Sequence, residues 1–185
     1  GTGNTVTNWN TAILGVELSD GTNSTTTATI GTSGITFTGI TNTVGTLGYI
    51  ADDASKTYTL KIWLKTNLGS LRTVIDGQNF VFRIQTSDVT ATGSQLAIGQ
   101  DVNSGSANNV VDVTGTALAF VTQPSNTIVT QAMSNVTVSV NDANGNRDLG
   151  SSASIDITST GTLTGSPVAA SAVSGLATFV GLTHT

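Results

Sequence analysis

Residues 57–65 read TYTLKIWLK, which is the clearest strand pattern in the chain. Its larger apolar side chains fall at every second position: Tyr58, Leu60, Ile62 and Leu64. A period of two is typical of a β-strand that is buried on one face only. The alternation therefore predicts that Lys61, Trp63 and Lys65 lie on the opposite face, toward solvent.

The same alternation recurs in short segments along the rest of the chain: residues 12–18, 28–30, 35–37, 80–85, 109–113, 118–122, 135–140, 154–157 and 176–180. Turn dipeptides such as Asp20-Gly21 and Asn144-Gly145 separate several of them. Short strands at this spacing predict an all-β protein made of antiparallel sandwiches. Helical periodicity is weak throughout. Residues 51–56 are predicted to make one helical turn, and residues 66–76 a loop or a short strand.

Composition excludes several functional classes. The 185 residues include six Lys or Arg, eleven Asp or Glu, one His and no Cys, for a net charge of −5. Six scattered cations do not make a groove for nucleic acid. Without Cys there is no thiolate zinc site, disulfide or thiol nucleophile. The single histidine, His184, cannot form a two-histidine metal site. An apolar fraction of 37% is nevertheless enough for a folded core.

Location is predicted from what the sequence omits. No run of about 18 apolar residues is present, so no transmembrane helix is expected. The first residues have neither a basic region nor an apolar region of the kind found in signal peptides, and we expect a mature or excised chain. Low charge with abundant Thr and Asn predicts an extracellular protein on a bacterial cell surface.

A shift in composition predicts two domains. Residues 1–116 contain both Trp, both Tyr and five of the six cations, whereas residues 117–185 are richer in Ala, Val and Ser. We therefore expect two tandem antiparallel β-sandwiches that meet at 116/117. A strand running from about residue 110 to residue 122 would link them stiffly, until Pro124 interrupts its hydrogen bonding.

Three motifs in residues 117–185 occur in order: LAFVTQP at 118–124, VTVSVNDANGN at 136–146 and GLATFVGL at 175–182. Together they resemble a bacterial immunoglobulin-like repeat of the invasin and intimin type. The resemblance implies an Ig-like sandwich, and one that lacks its last strands at residue 185. It departs from the family at Arg147, where a proline is common.

Four motifs in the first domain point to a related context: WNTAI at 9–13, VELSDGT at 16–22, LGYIADD at 47–53 and YTLKIWL at 58–64. They resemble a module that accompanies such repeats in giant secreted bacterial surface proteins, including gliding adhesins exported by type IX secretion. The resemblance brings no catalytic residue with it.

Residues 142–148 read DANGNRD and place side-chain oxygens at alternate positions: Asp142, Asn144, Asn146 and Asp148. Calcium binds six to eight oxygen ligands, and such spacing supplies several of them. The other interpretation is a tight turn, because Asn-Gly tolerates positive φ. No cofactor is required by the sequence, and Ca²⁺ at this loop stays open as an alternative.

Other acidic loops are weaker metal candidates. Asp52 and Asp53 would bind a cation if the fold brought Asp20 or Asp76 to them, and otherwise cap a solvated turn. Residues 101–105 are interpreted as a loop.

Trp63 is the most prominent candidate for ligand binding. An exposed aromatic ring between Lys61 and Lys65 can stack on a sugar or anchor a protein contact. Alternatively a loop covers it and the lysine stems flank it. An isopeptide bond from either lysine is disfavoured because both lie on the polar face. A glycosidase is also disfavoured, since Glu17 is the only Glu and a carboxylate pair across a cleft is needed.

The sequence therefore predicts no enzyme. It favours a structural or adhesive repeat segment of a long secreted surface protein, acting as a rigid spacer within a filament. Its expected partners are neighbouring repeats or other copies, and surface glycans or cell-surface proteins, but not nucleic acid. The alternative is a carbohydrate- or protein-binding module that uses Trp63 and the acidic loops. A missing last strand would leave an open edge beside residues 176–180, and open edges recruit strands.

Overall fold

A computed structural model describes residues 3–89, 101–105, 109–165 and 168–185. It confirms the predicted all-β class, because strands predominate over helix and pair antiparallel in several small sheets. The chain forms two compact units. One consists of residues 6–71, and the other of residues 3–5 with the described residues from 72 onward. The units thus divide at 71/72. The number of sandwiches and the independent folding of residues 117–185 stay predictions.

The unit of residues 6–71 contains one helical turn and five strands: α1 (Trp9–Ala12), β1 (Ile13–Ser19), β2 (Ser24–Thr25), β3 (Ala28–Ile30), β4 (Ile35–Phe37) and β5 (Thr59–Leu64). The order β2-β1-β5 makes an antiparallel sheet, and β3 pairs with β4 as a hairpin. The buried side chains of this unit include Val6, Trp9, Ala12, Ile13, Val16, Leu47, Leu68 and Leu71. The indole N–H of Trp9 donates to the Val6 carbonyl at 3.2 Å, so this ring is fully satisfied in the core.

Two local predictions in this part of the chain were wrong. Residues 69–73 form a 3₁₀-helix, Gly69–Thr73, instead of a loop or a strand. It begins where the Asn67 side chain accepts the Gly69 N–H at 2.9 Å, a local turn that competes with strand pairing. Residues 51–54 make a turn but no helix. Asp53 has a φ of +53°, a left-handed conformation that ends any helical progression.

The second unit contains a further 3₁₀-helix, Thr86–Asp88, and nine strands: β6 (Arg83–Ile84), β7 (Val102–Asn103), β8 (Ala117–Thr122), β9 (Val136–Asn141), β10 (Ser154–Asp156), β11 (Leu163–Thr164), β12 (Ala169–Ser171), β13 (Leu176–Phe179) and β14 (Thr183–His184). The order β13-β9-β8 gives a three-stranded sheet, and three further pairs are β10-β12, β11-β14 and β6-β7.

Strand β9 supplies the centre of an apolar cluster in this unit. Its alternate residues Val136, Val138 and Val140 are buried. They pack with a set of side chains drawn from later strands and turns: Ile155, Ala172, Ala177, Phe179 and Leu182. All of these residues lie within the stretch that resembles an immunoglobulin-like repeat.

The strand predicted over residues 80–85 is shorter than expected. Only Arg83–Ile84 pairs, and Ile84 is exposed rather than buried. Phe80 and Phe82 stack with ring centroids 5.8 Å apart, yet Val81 between them is also buried. The backbone there is irregular, so the period of two fails. The strand predicted over 109–113 is likewise reduced to one bridge, between Val110 and Asn79.

Candidate functional site

Trp63 lies on the outer face of the β1–β5 pair, as the alternation predicts. Its side chain is 45% exposed. It stands opposite Gly15 in the register, and its Cε3 atom is 3.6 Å from the position that a Cβ on Gly15 would occupy. The pairing is irregular between Ile13 and Gly15, and Leu14 at this bulge is 66% exposed. Trp63 and Leu14 are therefore two exposed apolar residues on neighbouring strands, one opposite Gly15 and one next to it in sequence.

The two lysines that flank Trp63 both have partners. Lys61 stands opposite Glu17 in the register, and its Nζ is 3.0 Å from the Glu17 carboxylate. Lys65 Nζ donates to the Asn10 carbonyl at 2.6 Å. The polar face thus carries a cross-strand ion pair next to the indole. On the face predicted to be buried, however, Tyr58 and Leu64 are 38% and 36% exposed. The sole Glu of the chain is engaged with Lys61.

An open depression of about 390 Å³ lies elsewhere in the same unit. Asp20 and Lys56 line it, together with Tyr49, Asn23 and Ser55. Lys56 Nζ contacts the Asp20 carboxylate at 2.9 Å and donates to the carbonyls of Thr46 at 3.0 Å and Leu47 at 3.2 Å. One ammonium group therefore fastens the turn after β1 to the 43–49 loop.

The Asp20 carboxylate is held in its charged form. Backbone N–H of Asn23 is the largest cause, followed by Lys56 and by the N–H of Thr22, and together they hold the pKa of Asp20 far below its usual range. The side chain of Asp20 is only 5% exposed. Because its oxygens already accept these bonds, Asp20 acts here as a structural acceptor. A cation shared with Asp52 stays a prediction.

The DANGNRD loop closes on itself around Asp142. Its Oδ1 accepts the backbone N–H groups of Asn144 and Asn146, both at 2.8 Å, and its Oδ2 accepts the Asn146 side-chain amide at 2.8 Å. Gly145 has a φ of +83°, which suits the tight turn interpretation. Partial burial raises the pKa of Asp142, but the bonds from Asn146 and Asn144 outweigh it and lower the pKa overall.

Asp148 points away from that turn. Its Oδ2 accepts the Gly115 N–H at 2.9 Å. The four residues proposed as calcium ligands are close in sequence. The carboxylates of Asp142 and Asp148, however, accept hydrogen bonds from different backbone segments. Ca²⁺ binding at this loop stays a prediction, and melting with and without a chelator tests it.

Asp76 has the most far-reaching bonds of any carboxylate described. Its Oδ1 accepts the Val113 N–H at 2.9 Å, and its Oδ2 accepts the N–H groups of Leu149 at 2.7 Å and Gly150 at 3.2 Å. We call Asp76, Val113, Gly115, Asp148 and Leu149 the junction cluster. It joins the residues before β8 to the loop that leads from β9 to β10.

Sequence reasoning assigned Asp76 only to a turn or to a cation site. The sequence gives little indication that Asp76 joins two backbone segments, since its partners are backbone groups 37 and 73 residues away. The remaining acidic candidates are exposed: Asp52 and Asp53 lie in the 51–54 turn. Asp101 Oδ1 accepts the Thr86 N–H at 3.2 Å.

Among the described ranges, no three or more His, Asp or Glu side chains are grouped so as to hold a metal ion. Over the same ranges, none of the helices has both the length and the apolar character needed to cross a bilayer. The chain matches no protein-family model, no curated protein and no solved structure.

Proposed function

We propose that this chain is a structural segment of a long secreted bacterial surface protein, and that it works as a stiff spacer which presents loops and edges for adhesion. No reaction is part of the proposal. The observation that supports it most directly is the junction cluster. There the carboxylates of Asp76 and Asp148 accept backbone N–H groups and so hold separate backbone segments together.

The junction cluster supports stiffness in a specific way. Asp76 accepts three backbone N–H groups from two separate segments, and Asp148 accepts a fourth from Gly115. Hydrogen bonds to a charged acceptor are stronger than neutral ones. Gly115 also leaves no room for a side chain, because a Cβ there would overlap Val140 Cγ1. The chain before β8 is therefore pinned at several adjacent points.

A distance measurement tests the stiffness. The chain has no Cys, so paired spin labels attach only to introduced sites. We suggest the exposed positions Asn103 and Thr178, which both belong to the unit that contains the junction cluster. The spacer proposal expects a narrow distance distribution in the parent chain and a clearly broader one after Asp76→Ala.

Asp112→Ala is the matched control, because Asp112 is exposed and the charge change is the same. It should leave the distribution narrow. A broad distribution in the parent chain would refute the stiff spacer. Labelling of intact source cells with an antibody to this chain tests the surface location separately, and signal only after cell lysis would contradict it.

One observation favours a second candidate, a carbohydrate- or protein-binding module. Trp63 and Leu14 are exposed, and Trp63 lies next to polar groups, which is how protein surfaces present a platform to a sugar ring. A glycan array with the parent chain and Trp63→Ala tests it. The control is Val44→Ala, a residue that is 75% exposed in the same unit. A glycan signal that survives Trp63→Ala excludes this platform.

A further inference from the structure

Strand β8 is the most exposed strand of its sheet. In the order β13-β9-β8 it lies at one margin, and within the described part of the chain only β9 pairs with it. Every residue from Ala117 to Thr122 is exposed. Leu118, Phe120 and Val121 are 58%, 47% and 54% exposed, respectively. At the other margin, β13 buries Ala177 and Phe179 completely.

A small groove runs beside this exposed strand. It has a volume of about 130 Å³ and lies between β8 and β10. Leu118 and Phe120 line one side, Ile155 and Ile157 the other, with Val138 also contributing. The only charged residue among its lining is Asp156. An edge strand next to an apolar groove is the arrangement that binds an added strand, because the backbone supplies hydrogen bonds and the groove selects alternate apolar side chains.

Charged residues, one common protection of an edge strand, are absent from this part of the sequence. No charged residue occurs between Asp112 and Asp142, a stretch that includes all of β8 and all of β9. Natural edge strands are commonly guarded by lysines, inward-facing charges or bulges. Here a bulge lies between Phe120 and Thr122 and Pro124 follows. These limit the length of an added strand but leave Ala117–Phe120 open.

We propose that β8 is a strand-pairing site, and that its occupant is β8 of a second copy of this chain, paired antiparallel about a two-fold axis. A two-fold contact needs only one kind of surface, used by both copies. Leu118 and Phe120 of each copy would pack across the new strand pair and cover the open side of the grooves. Although each chain has a net charge of −5, this edge is uncharged, so the two copies meet without direct like-charge contact.

The test is the oligomeric state across concentration, measured by sedimentation equilibrium on the full chain. A reversible monomer–dimer equilibrium is expected, with hydrogen exchange of the β8 amides slowing as the dimer forms. Phe120→Lys places a charge on the pairing strand and should weaken dimerisation at least about tenfold. Val44→Lys, an equally drastic change at a 75% exposed residue in the other unit, should leave it unchanged.

Two further measurements show whether a loss of the dimer comes from the pairing strand itself. Circular dichroism reports whether Phe120→Lys is folded, and Leu118→Lys replaces it if it is not. A capped peptide of residues 116–123 should compete with the dimer. A chain that stays monomeric at every concentration, a dimer that Phe120→Lys and Val44→Lys weaken alike, or open-ended fibres would each overturn the proposal. The spacer proposal is tested at dilute concentration, so the two can fail separately.

Discussion

Lys56 and Lys61 each form an ion pair, but only the pair of Lys56 is shielded from solvent. The Lys56 and Asp20 side chains are 21% and 5% exposed, whereas the Lys61 side chain is 58% exposed. Lys56→Met also removes two hydrogen bonds to carbonyl groups, and we expect that loss to lower the free energy of unfolding by about 2 kcal/mol. Urea denaturation followed by circular dichroism measures it.

Lys61→Met is the matched control, since it deletes the same ammonium group from an exposed pair. Its expected cost is below about 1 kcal/mol. Equal losses for the two variants would show that the bonds of Lys56 to the 43–49 loop contribute nothing beyond a surface ion pair.

Asp142 predicts a specific dependence of stability on pH. Burial raises its pKa, but the bonds from Asn146 and Asn144 more than compensate, so the folded pKa lies below the unfolded value. A depressed carboxyl pKa stabilises the fold above the unfolded pKa, near 3.9, and this contribution is lost as the pH falls through the folded pKa. Asp142→Asn should therefore cost about 1–2 kcal/mol at pH 7.

The measurement is the difference in free energy of unfolding between the parent chain and Asp142→Asn as the pH is lowered. It should stay constant from neutral pH to about 5 and shrink below about 4. Asp52→Asn, an equal charge change in an exposed turn, is the control and should change the free energy of unfolding little. A difference for Asp142→Asn that does not depend on pH would contradict the assignment.

A two-residue turn sets the register of the hairpin that leads into β13. Val173 and Leu176 exchange backbone hydrogen bonds of 2.9 and 3.1 Å. Between them Ser174 and Gly175 have φ values of +50° and +68°. Positive φ at both central positions is the I′ geometry, which favours Asn-Gly. Ser174→Asn should therefore raise the free energy of unfolding by about 0.5 kcal/mol.

Gly175→Ala is expected to have the opposite effect on the free energy of unfolding. Its positive φ disfavours a side chain, and a Cβ there would overlap the carbonyl of Asp148. We expect a loss of more than about 1 kcal/mol. Thermal melting of both variants beside the parent chain is sufficient. Destabilisation by Ser174→Asn would argue against the I′ turn.

The sequence predicted elements well where one face alone is buried. Strict alternation located β3, β4 and, within two residues at each end, β5, and it placed Trp63 outward. It failed at residues 80–82, where Val81 and Phe80 are both buried, because both sides of an irregular segment are covered. A separate prediction, a loop or a short strand over residues 66–76, missed the 3₁₀-helix Gly69–Thr73, where the Gly69 N–H donates to the Asn67 side chain.

The candidate sites, like the strands, could be predicted from the sequence only in part. A turn at residues 142–148 was one of two interpretations of the sequence, on the ground that Asn-Gly tolerates positive φ, and its bonds are local, with partners two and four residues from Asp142. The bonds of Asp76 and Lys56 could not be predicted, since carbonyl and N–H partners carry no side-chain signature in sequence. The bulge that exposes Leu14 could not be predicted from the sequence either, because it depends on the pairing of β1 with β5.

The two compact units are expected to contribute independently to the free energy of unfolding. All the bonds described for Lys56 lie within residues 6–71, and those for Asp76 lie within the other unit. Substitutions without shared partners usually have additive effects within about 0.5 kcal/mol. The double variant Lys56→Met with Asp76→Ala should therefore lose the sum of the two single losses in a double-mutant cycle.

Calorimetry adds a second test of the same idea. If the units unfold separately, Lys56→Met should shift one transition and Asp76→Ala the other, because each substitution weakens bonds in one unit only. Asp112→Ala, beside the junction cluster, should shift neither appreciably. A coupling energy above about 1 kcal/mol, or a single transition that both substitutions shift alike, would mean that the chain unfolds as one cooperative body. Under load, a spacer with one such transition would unfold in a single step. With two transitions, residues 6–71 and the later unit would unfold one after the other.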